Sequence, residues 1–278
     1  MKNLLTIDLE DYYQTSGMSD LAPIARWSEF EKRIEPNVEC VLEVLGDVKA
    51  TFFVLGWEAQ RHPQLIRKIF ERGHEIATHG EYHRLITSLS RDEFTSDLKS
   101  AIEFLEDTTG DKVLGHRAPS FSITDETPWA FEVMTELGLK YDSSVFPVKR
   151  KRGGIEGVQR TPYDINCTTG KITEYPLAVM DFVGRKLPVA GGGFFRIYPY
   201  WLTKRAITDL NDKSIPAVVY LHPWELDPQQ PKLKSFFDRS GFNQYVGLNS
   251  TKKKLKQLLM DFEFTTIKDH LNTKYEKV

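Results

Sequence analysis

The stretch LLTIDLED at residues 4–11 begins as an apolar strand and runs directly into three carboxylates, Asp8, Glu10 and Asp11. Its aliphatic and β-branched residues predict a strand over residues 4–9. Like charges so close together repel each other if they are partly buried, and a bound cation would compensate them. The alternative is a solvated turn after the strand. In a barrel, catalytic groups lie at the carboxyl ends of the strands, so these carboxylates are candidates for a functional site.

Further short strand patterns alternate with helical patterns along the chain, which indicates strand–helix–strand units and a largely parallel sheet. Apolar residues spaced three and four apart between the strands predict amphipathic helices that cover this sheet. Residues 161–195 contain three prolines and a glycine triplet, and they predict an irregular hairpin insertion. The other strand candidates lie at residues 50–56, 75–78, 113–117, 140–143 and 217–221.

The charge balance and length exclude several classes of protein. The chain has 37 Lys and Arg against 39 Asp and Glu, which argues against sequence-independent nucleic-acid binding through a basic surface. No apolar run approaches the roughly 20 residues that a membrane-spanning helix needs. The N-terminal stretch does not resemble a secretory signal, so we expect a cytoplasmic location. No repeat or clear linker divides the 278 residues, and we predict one domain over residues 1–278.

A second polar cluster, THGEYH at residues 78–83, follows the third strand candidate. His79 and His83 are four residues apart, a spacing that puts two imidazoles on one face of a helical turn, near enough for one metal ion. Two imidazoles and one carboxylate form a three-ligand set that leaves a position open for water, the pattern of a hydrolytic zinc site. The alternative is a chance pairing, since this spacing is common.

Two later strand ends each carry a polar residue of interest. Arg117 lies in GHRAPSF at residues 115–121, where it either holds a carboxylate through bidentate hydrogen bonds or is a surface residue before a turn. His222 ends an apolar strand, and Pro223 stops that strand directly after it. A lone histidine at such a place is usually structural, but its charge can change near neutral pH, which suits proton donation.

The order of these motifs resembles the polysaccharide deacetylase family, carbohydrate esterase family 4. The motifs are Thr-x-Asp near the N-terminus, His-x3-His after the third strand, Arg-x-Pro-x-Phe after the fourth and Leu-His at a late strand. The resemblance covers about residues 1–225. The segments at residues 8–12, 141–144 and 222–225 look like a bacterial branch associated with exopolysaccharide loci, in which residues 226–278 would be a C-terminal extension packed on the barrel.

The resemblance implies a fold and a set of residue roles. The fold is an α/β structure, a distorted (β/α) barrel of about seven parallel strands, here with the hairpin insertion. Asp8 matches the family's catalytic base, Arg117 the residue that orients this base, and His222 the catalytic acid. His79 and His83 match its metal ligands.

The first motif departs from the family's commonest pattern, in which two aspartates are adjacent and the second is a metal ligand. Here Leu9 follows Asp8, so the carboxylate ligand is either Glu10 or Asp11. The two-residue period of an extended strand points Glu10 to the same face as Asp8. A turn immediately after Leu9 would favour Asp11 instead.

The implied activity is metal-dependent removal of N-acetyl groups from an amino-sugar-containing polysaccharide or its biosynthetic intermediate. The expected cofactor is a divalent metal, Zn²⁺ by preference, and the expected partner is an N-acetylated oligosaccharide or polysaccharide, with no nucleic acid and no membrane span. Two alternatives stay open: a hydrolase of a small cyclic amide or ureide on the same scaffold, and a non-catalytic carbohydrate-binding protein. The sequence identifies neither the sugar and its linkage nor the oligomeric state.

Overall fold

The computed structural model describes residues 1–189, 191–235 and 237–275, in which strands and helices alternate. The strands are β1 (Asn3–Leu9), β2 (Thr51–Val54), β3 (Glu75–Thr78), β4 (Gly115–His116), β5 (Tyr141–Asp142), β6 (Tyr163–Cys167), β7 (Gly170–Glu174), β8 (Val179–Phe182), β9 (Arg185–Pro188), β10 (Val218–Leu221) and β11 (Phe264–Thr265). The helices are α1 (Ile34–Leu45), α2 (Gly56–Arg61), α3 (Pro63–Glu71), α4 (Arg91–Thr109), α5 (Trp129–Glu136), α6 (Gly192–Ile197), α7 (Tyr200–Asn211), α8 (Arg239–Tyr245), α9 (Leu248–Asp261) and α10 (Ile267–Tyr275). None of the helices in these ranges has the length and apolar character needed to cross a membrane.

Within the described ranges, seven strands pair in parallel in the order β10-β1-β2-β3-β4-β5-β7. β6 adds to β7 in antiparallel fashion, β11 pairs with the start of β1, and β8 and β9 form a separate hairpin. The sheet is curled, and the segment after β7 reaches β10, where Ala178 N–H donates to Val218 O at 3.3 Å. The predicted α/β fold, a distorted barrel of about seven parallel strands, is confirmed.

One parallel strand lies where the sequence predicted only an insertion. The segment at residues 161–195 does contain two hairpins, β6–β7 and β8–β9. However, β7 also pairs in parallel with β5, with Thr173 opposite Tyr141. The prediction was therefore incomplete, since one arm of the first hairpin is also part of the barrel wall.

Alternate residues of β1 face the two sides of the barrel wall, as the two-residue period of a strand requires. Leu5, Ile7 and Leu9 pack in the outer core together with the apolar faces of the helices. Leu4 packs inside the ring, so Asp8, four residues later, lies on this inner side at the carboxyl end of the strand. The other buried apolar residues of the inner cluster are Phe53, Ala77, Phe121, Tyr141, Phe146, Tyr175, Leu177, Val179, Val218, Tyr220, Ile267 and Leu271.

Several described segments after Leu226 contact the barrel. β11 pairs with β1, with Phe264 opposite Asn3, and α10 contributes Ile267 and Leu271 to the inner cluster. α9 packs against α1 and α7. The predicted domain also includes residues 276–278, which lie outside the described residues.

Candidate metal centre

Glu10, His79 and His83 each bring one possible ligand atom to a common point beyond the carboxyl ends of β1 and β3. The three atoms all lie within 4.8 Å of one another, and His83 Nε2 is 2.8 Å from Glu10 Oε2. Glu10 and His79 are buried, and the His83 side chain is 5% exposed. The structure therefore brings together both imidazoles of the HGEYH segment and one carboxylate of the first strand.

Hydrogen bonds fix His79 with one ring nitrogen turned to this point. Its backbone N–H donates to Val54 O at 2.9 Å, which continues the pairing of β3 with β2. Its Nδ1 lies 2.7 Å from Arg117 O, and because a carbonyl oxygen only accepts, Nδ1 carries the hydrogen. This tautomer leaves the Nε2 lone pair available to an ion, as a metal-binding histidine requires.

A tight turn after β3 brings His83 back beside His79. Gly80 has a φ of +76°, and a Cβ there would lie 2.8 Å from Asp97 Oδ2, which accepts the N–H of Glu81 at 2.7 Å. His83 has a φ of +53°, in the left-handed region that is costly for a residue with a Cβ. The two imidazole centroids are 5.3 Å apart. The sequence predicted a helical turn, which was wrong: the histidines converge through an irregular turn.

The structure separates the two candidate carboxylates of the first motif. The chain turns directly after β1, because Glu10 N–H donates to Asp8 O at 3.1 Å. Such a turn was expected to favour Asp11, but Glu10 is the residue beside the imidazoles. The Asp11 carboxylate instead accepts the backbone N–H groups of Tyr12 and Arg33, at 2.8 and 2.7 Å. Asp11 therefore holds the loop after β1 against the start of α1.

The ionisation of Glu10 and His79 suits a bound cation. Burial alone would raise the pKa of Glu10, but the charges of His83 and His222 lower it to about 2, so the carboxylate is ionised. Burial lowers the pKa of His79 to about 4, so this imidazole is neutral at pH 7. Glu10 Oε2 is buried without a well-aligned hydrogen-bond donor, despite its closeness to His83. One carboxylate and two imidazoles fit the ligand preferences of Zn²⁺.

Arg117 holds Asp8 beside this cluster, and both side chains are buried. Its Nη1 donates to Asp8 Oδ1 and to Thr6 Oγ1, both at 2.7 Å. Its Nε and Nη2 donate to Ser143 O and Oγ at 2.9 and 2.7 Å. The guanidinium carbon lies 4.2 Å from the centroid of the Phe53 ring. Because the planar guanidinium is held on several sides, it allows Asp8 little freedom of position.

His222 lies on another side of the cluster, directly after β10. Its Nε2 is 3.5 Å from Glu10 Oε1 and 3.8 Å from Asp8 Oδ2. Its Nδ1 is 3.1 Å from Glu225 Oε2, and Glu225 Oε1 accepts from Arg196 Nε at 2.7 Å. Burial alone would lower the pKa of His222, but the charges of Glu225, Glu10 and Asp8 raise it to about 9. The imidazole therefore keeps its proton at neutral pH.

Three partners in this site were not predicted from the sequence. Glu225 is three residues after His222 and accepts its backbone N–H at 2.9 Å, a capping-box spacing that is readable in the sequence. Arg196 and Ser143 reach the site only through the tertiary fold, and no local spacing signals them. Trp224 completes the surroundings: its ring stacks on His222 with centroids 5.2 Å apart, and its Nε1–H donates to Glu10 Oε1 at 3.2 Å.

Two family models match the chain. Residues 28–141 match the polysaccharide deacetylase model, and residues 143–272 match a domain of unknown function, DUF3473. The first region contains His79, His83 and Arg117, and the second contains His222 and most of the C-terminal extension. The carboxylates at residues 8–11 precede both regions.

Known proteins resemble parts of the chain or its fold. A peptidoglycan-N-acetylglucosamine deacetylase of Bacillus cereus is 32% identical over 100 residues, 35% of this chain and 45% of that protein. The match thus spans less than half of this relative. A crystal structure described as a polysaccharide deacetylase from Mycobacterium smegmatis has a TM-score of 0.65 at 21% identity and covers 100% of this chain and 92% of that one.

The same fold also occurs in an enzyme that is not named a deacetylase. Puue allantoinase has a TM-score of 0.58 at 17% identity, with 96% of this chain and 87% of that chain covered. Structural likeness at such identities shows the fold alone. The family assignment depends on the matched deacetylase model and the sequence relatives, and by these residues 28–141 of the chain belong to the polysaccharide deacetylase family, carbohydrate esterase family 4.

Proposed function

We propose that this chain removes N-acetyl groups from the amino sugars of a polysaccharide, or of its biosynthetic intermediate, by metal-dependent hydrolysis. The observation that carries the proposal is the placement of a base and an acid on one candidate metal cluster. Protonated His222 lies 3.5 Å from Glu10 and 3.8 Å from Asp8, which Arg117 holds in place. A protein that only binds carbohydrate needs neither group. The Bacillus cereus relative, named a peptidoglycan-N-acetylglucosamine deacetylase, supports an N-acetylated substrate.

Glu10, His79 and His83 would hold the ion. Three protein ligands leave coordination positions open, which is typical of catalytic rather than structural zinc sites. When bound, Zn²⁺ would polarise the acetyl carbonyl and lower the pKa of water towards about 7. The buried Oε2 of Glu10, which lacks an aligned donor, is the atom that would gain most from the ion.

Asp8 would take the proton of the attacking water. Its Oδ1 is engaged by Arg117, and its Oδ2 faces the side of the site where His222 lies. The bond from Arg117 fixes the direction of Oδ2, which matters because a general base must lie within hydrogen-bond reach of the proton that it removes. Such proton transfer typically contributes about 10²- to 10⁴-fold to the rate.

His222 would protonate the sugar nitrogen as the carbon–nitrogen bond breaks. Its Nδ1 is engaged by Glu225, so the proton on Nε2, on the side of Glu10 and Asp8, is the one to be delivered. The negative charge of Glu225 keeps the imidazole protonated before this step. The products are acetate and a free amino sugar. We further propose, from the segments at residues 8–12, 141–144 and 222–225, that the substrate belongs to an exopolysaccharide.

Acetate release from N-acetylchitotetraose by the zinc-loaded chain tests this function. We expect release by the wild type, its loss with a chelator and its return with added Zn²⁺. His222→Ala should lower kcat by about 10²- to 10⁴-fold while zinc content is unchanged. His270→Ala is the matched control, since His270 lies on α10, which follows β11 beside the start of β1 and so lies at the opposite end of that strand from Asp8, and it should leave kcat unchanged.

Each alternative predicts a different result in the same assay. Hydrolysis of a cyclic ureide without acetate release from any acetylated sugar would support a ureide hydrolase, which the shared barrel permits. Tight saccharide binding with no turnover by the zinc-loaded protein would support a binding protein. Either result would contradict the proposed deacetylase activity.

A further inference from the structure

The connection between β5 and β6 carries an excess of positive charge. Residues 149–152 read Lys-Arg-Lys-Arg, and all four are exposed. The connection also contains Arg160, which pairs with Asp181 at 2.7 Å, and a single acidic residue, Glu156. Over the part of the chain that the structure describes, none of the residues 149–152 has a carboxylate within 4.0 Å. These four charges are therefore available to a ligand.

The loop that carries them is built against the barrel. Arg150 N–H donates to Gly153 O at 2.8 Å and closes a turn. A Cβ on Gly153 would lie 1.9 Å from Phe121 O, so only glycine permits this close approach to the segment after β4. Gly154 has a φ of +94°, and a Cβ there would lie 2.2 Å from Val148 O. The basic residues thus have a defined position on the Arg-x-Pro-x-Phe segment.

Arg150 lies over an aromatic ring of the inner apolar cluster, that of Phe146. Its guanidinium carbon is 4.7 Å from the centroid of the Phe146 ring and 5.8 Å from that of Phe194. The Phe146 ring centroid is 5.5 Å from that of Phe121, and the Phe121 centroid is 4.8 Å from that of Tyr220. The Tyr220 ring centroid is in turn 5.7 Å from that of His222. A continuous series of three aromatic rings, those of Phe146, Phe121 and Tyr220, therefore connects Arg150 to the proposed acid.

Arg152 extends the basic surface to the loop after β1. Its Nη2 donates to Ser16 O at 3.1 Å, and Ser16 Oγ lies 2.7 Å from Ser120 Oγ. Asp8 and Glu10 are each only 2% exposed, and Asp8 is paired with Arg117. A substrate that approaches the cluster from this side meets cations first.

We propose that residues 149–152, with Arg150 held over the Phe146 ring, bind an oxyanion of the saccharide substrate beside the acetylated sugar. The proposal rests on the proposed function and specifies its substrate class: an N-acetylated amino sugar joined to an acidic sugar or to a phosphate. Arginine presents a planar fork of donors that fits either carboxylate or phosphate oxygens. Exposed lysines on either side add long-range attraction that salt would screen.

The test compares kcat/KM for acetate release from three probes: neutral N-acetylchitotetraose, a hyaluronan tetrasaccharide that alternates N-acetylglucosamine with glucuronate, and UDP-N-acetylglucosamine. We expect at least one anionic probe to exceed the neutral one by about tenfold or more, the fold-change of one charge-assisted hydrogen bond. The tetrasaccharide and the nucleotide sugar distinguish a carboxylate from a phosphate.

Arg150→Gln should lower the anionic-to-neutral ratio of kcat/KM by about tenfold. The double variant Lys149→Gln/Lys151→Gln should lower this ratio less, and it should make the ratio less dependent on salt concentration. Lys213→Gln is the matched control, because Lys213 is exposed between the end of α7 and the start of β10, at the other end of the strands, and should leave the ratio unchanged. An equal melting temperature for wild type and Arg150→Gln shows that the loop change has not unfolded the barrel.

A wild-type preference for the neutral probe, or an anionic preference that Arg150→Gln leaves intact, would overturn the proposal. If none of the probes releases acetate, the proposed deacetylase function fails, but the charge preference is still decided by calorimetric binding of the same probes to wild type and Arg150→Gln. Equal affinity for neutral and anionic probes in that measurement would refute the anionic site independently of turnover.

Discussion

Arg196 Nε donates to Glu225 Oε1 at 2.7 Å, and both side chains are almost completely buried. The other nitrogens of Arg196 donate to backbone carbonyls at the end of α8, those of Asn243, Gln244 and Val246. Since the second oxygen of Glu225 contacts His222, the C-terminal extension is linked to the proposed acid through two side chains. This link connects the end of α8, which follows β10 in the chain, to the proposed acid.

Glu225→Gln removes the negative charge beside His222 while it keeps the shape of the side chain. We expect kcat for acetate release to fall by about tenfold to a hundredfold, because His222 then loses part of the charge that keeps it protonated. KM and bound zinc should change little, and steady-state kinetics with metal analysis measures both. Arg196→Lys should lower kcat in the same direction through Glu225. Unchanged kcat in both folded variants would show that the pair has only a structural role.

Arg117→Lys keeps the charge near Asp8 but loses the planar fork that also contacts Ser143. Because Asp8 then has no fixed position, we expect kcat to fall by about 10²- to 10⁴-fold, with zinc content unchanged. Arg160→Lys is the control, since its partner Asp181 is 53% exposed and such surface pairs contribute about 0–1 kcal/mol. Equal kcat values for the two variants would reject the positioning role of Arg117.

Glu174 predicts a pH dependence of stability away from the metal cluster. Burial and the neighbouring Asp142 raise the pKa of Glu174 well above its ordinary value of 4.5. A group whose pKa is raised in the folded state contributes stability below its unfolded pKa and loses it as pH rises towards the folded value, at about 1.4 kcal/mol per pKa unit. The contribution of Glu174 to the wild-type unfolding free energy should therefore fall as pH rises above about 5.

Glu174→Gln cannot lose a proton at this position, so its stability relative to wild type should increase from pH 5 to pH 8. Urea denaturation at several pH values measures this difference. Glu103→Gln on α4, where the native side chain is 64% exposed, should show no such trend. A constant difference between Glu174→Gln and wild type across this range would contradict the raised pKa of Glu174.

Most of the barrel could be predicted from the sequence because six of its seven parallel strands follow apolar or β-branched patterns. β7 was recognised only as part of an insertion. Its sequence, GKITE, has one strongly apolar residue, and its membership of the barrel depends on pairing with β5, nearly thirty residues earlier in the chain. Local patterns carry no information about such a long-range contact.

The candidate site, like the barrel, could be predicted from the sequence only in part. The motifs indicated Asp8, His79 and His83, because their residue types and spacing carry chemical meaning without the fold. The choice between Glu10 and Asp11 needed the structure, since it depends on how the chain turns after β1 and on backbone N–H groups that bind Asp11. Their roles as catalytic or metal-binding residues stay predictions until the experiments are done.

Zinc bound per chain in Glu10→Gln and Asp11→Asn, measured by elemental mass spectrometry beside acetate release, tests the central claim most directly. The two carboxylates are adjacent in sequence, but only Glu10 lies within 4.8 Å of both imidazoles. We predict that Glu10→Gln loses zinc and acetate release together, while folded Asp11→Asn keeps one zinc ion and most of its activity. Full zinc content and full activity in Glu10→Gln would contradict the account.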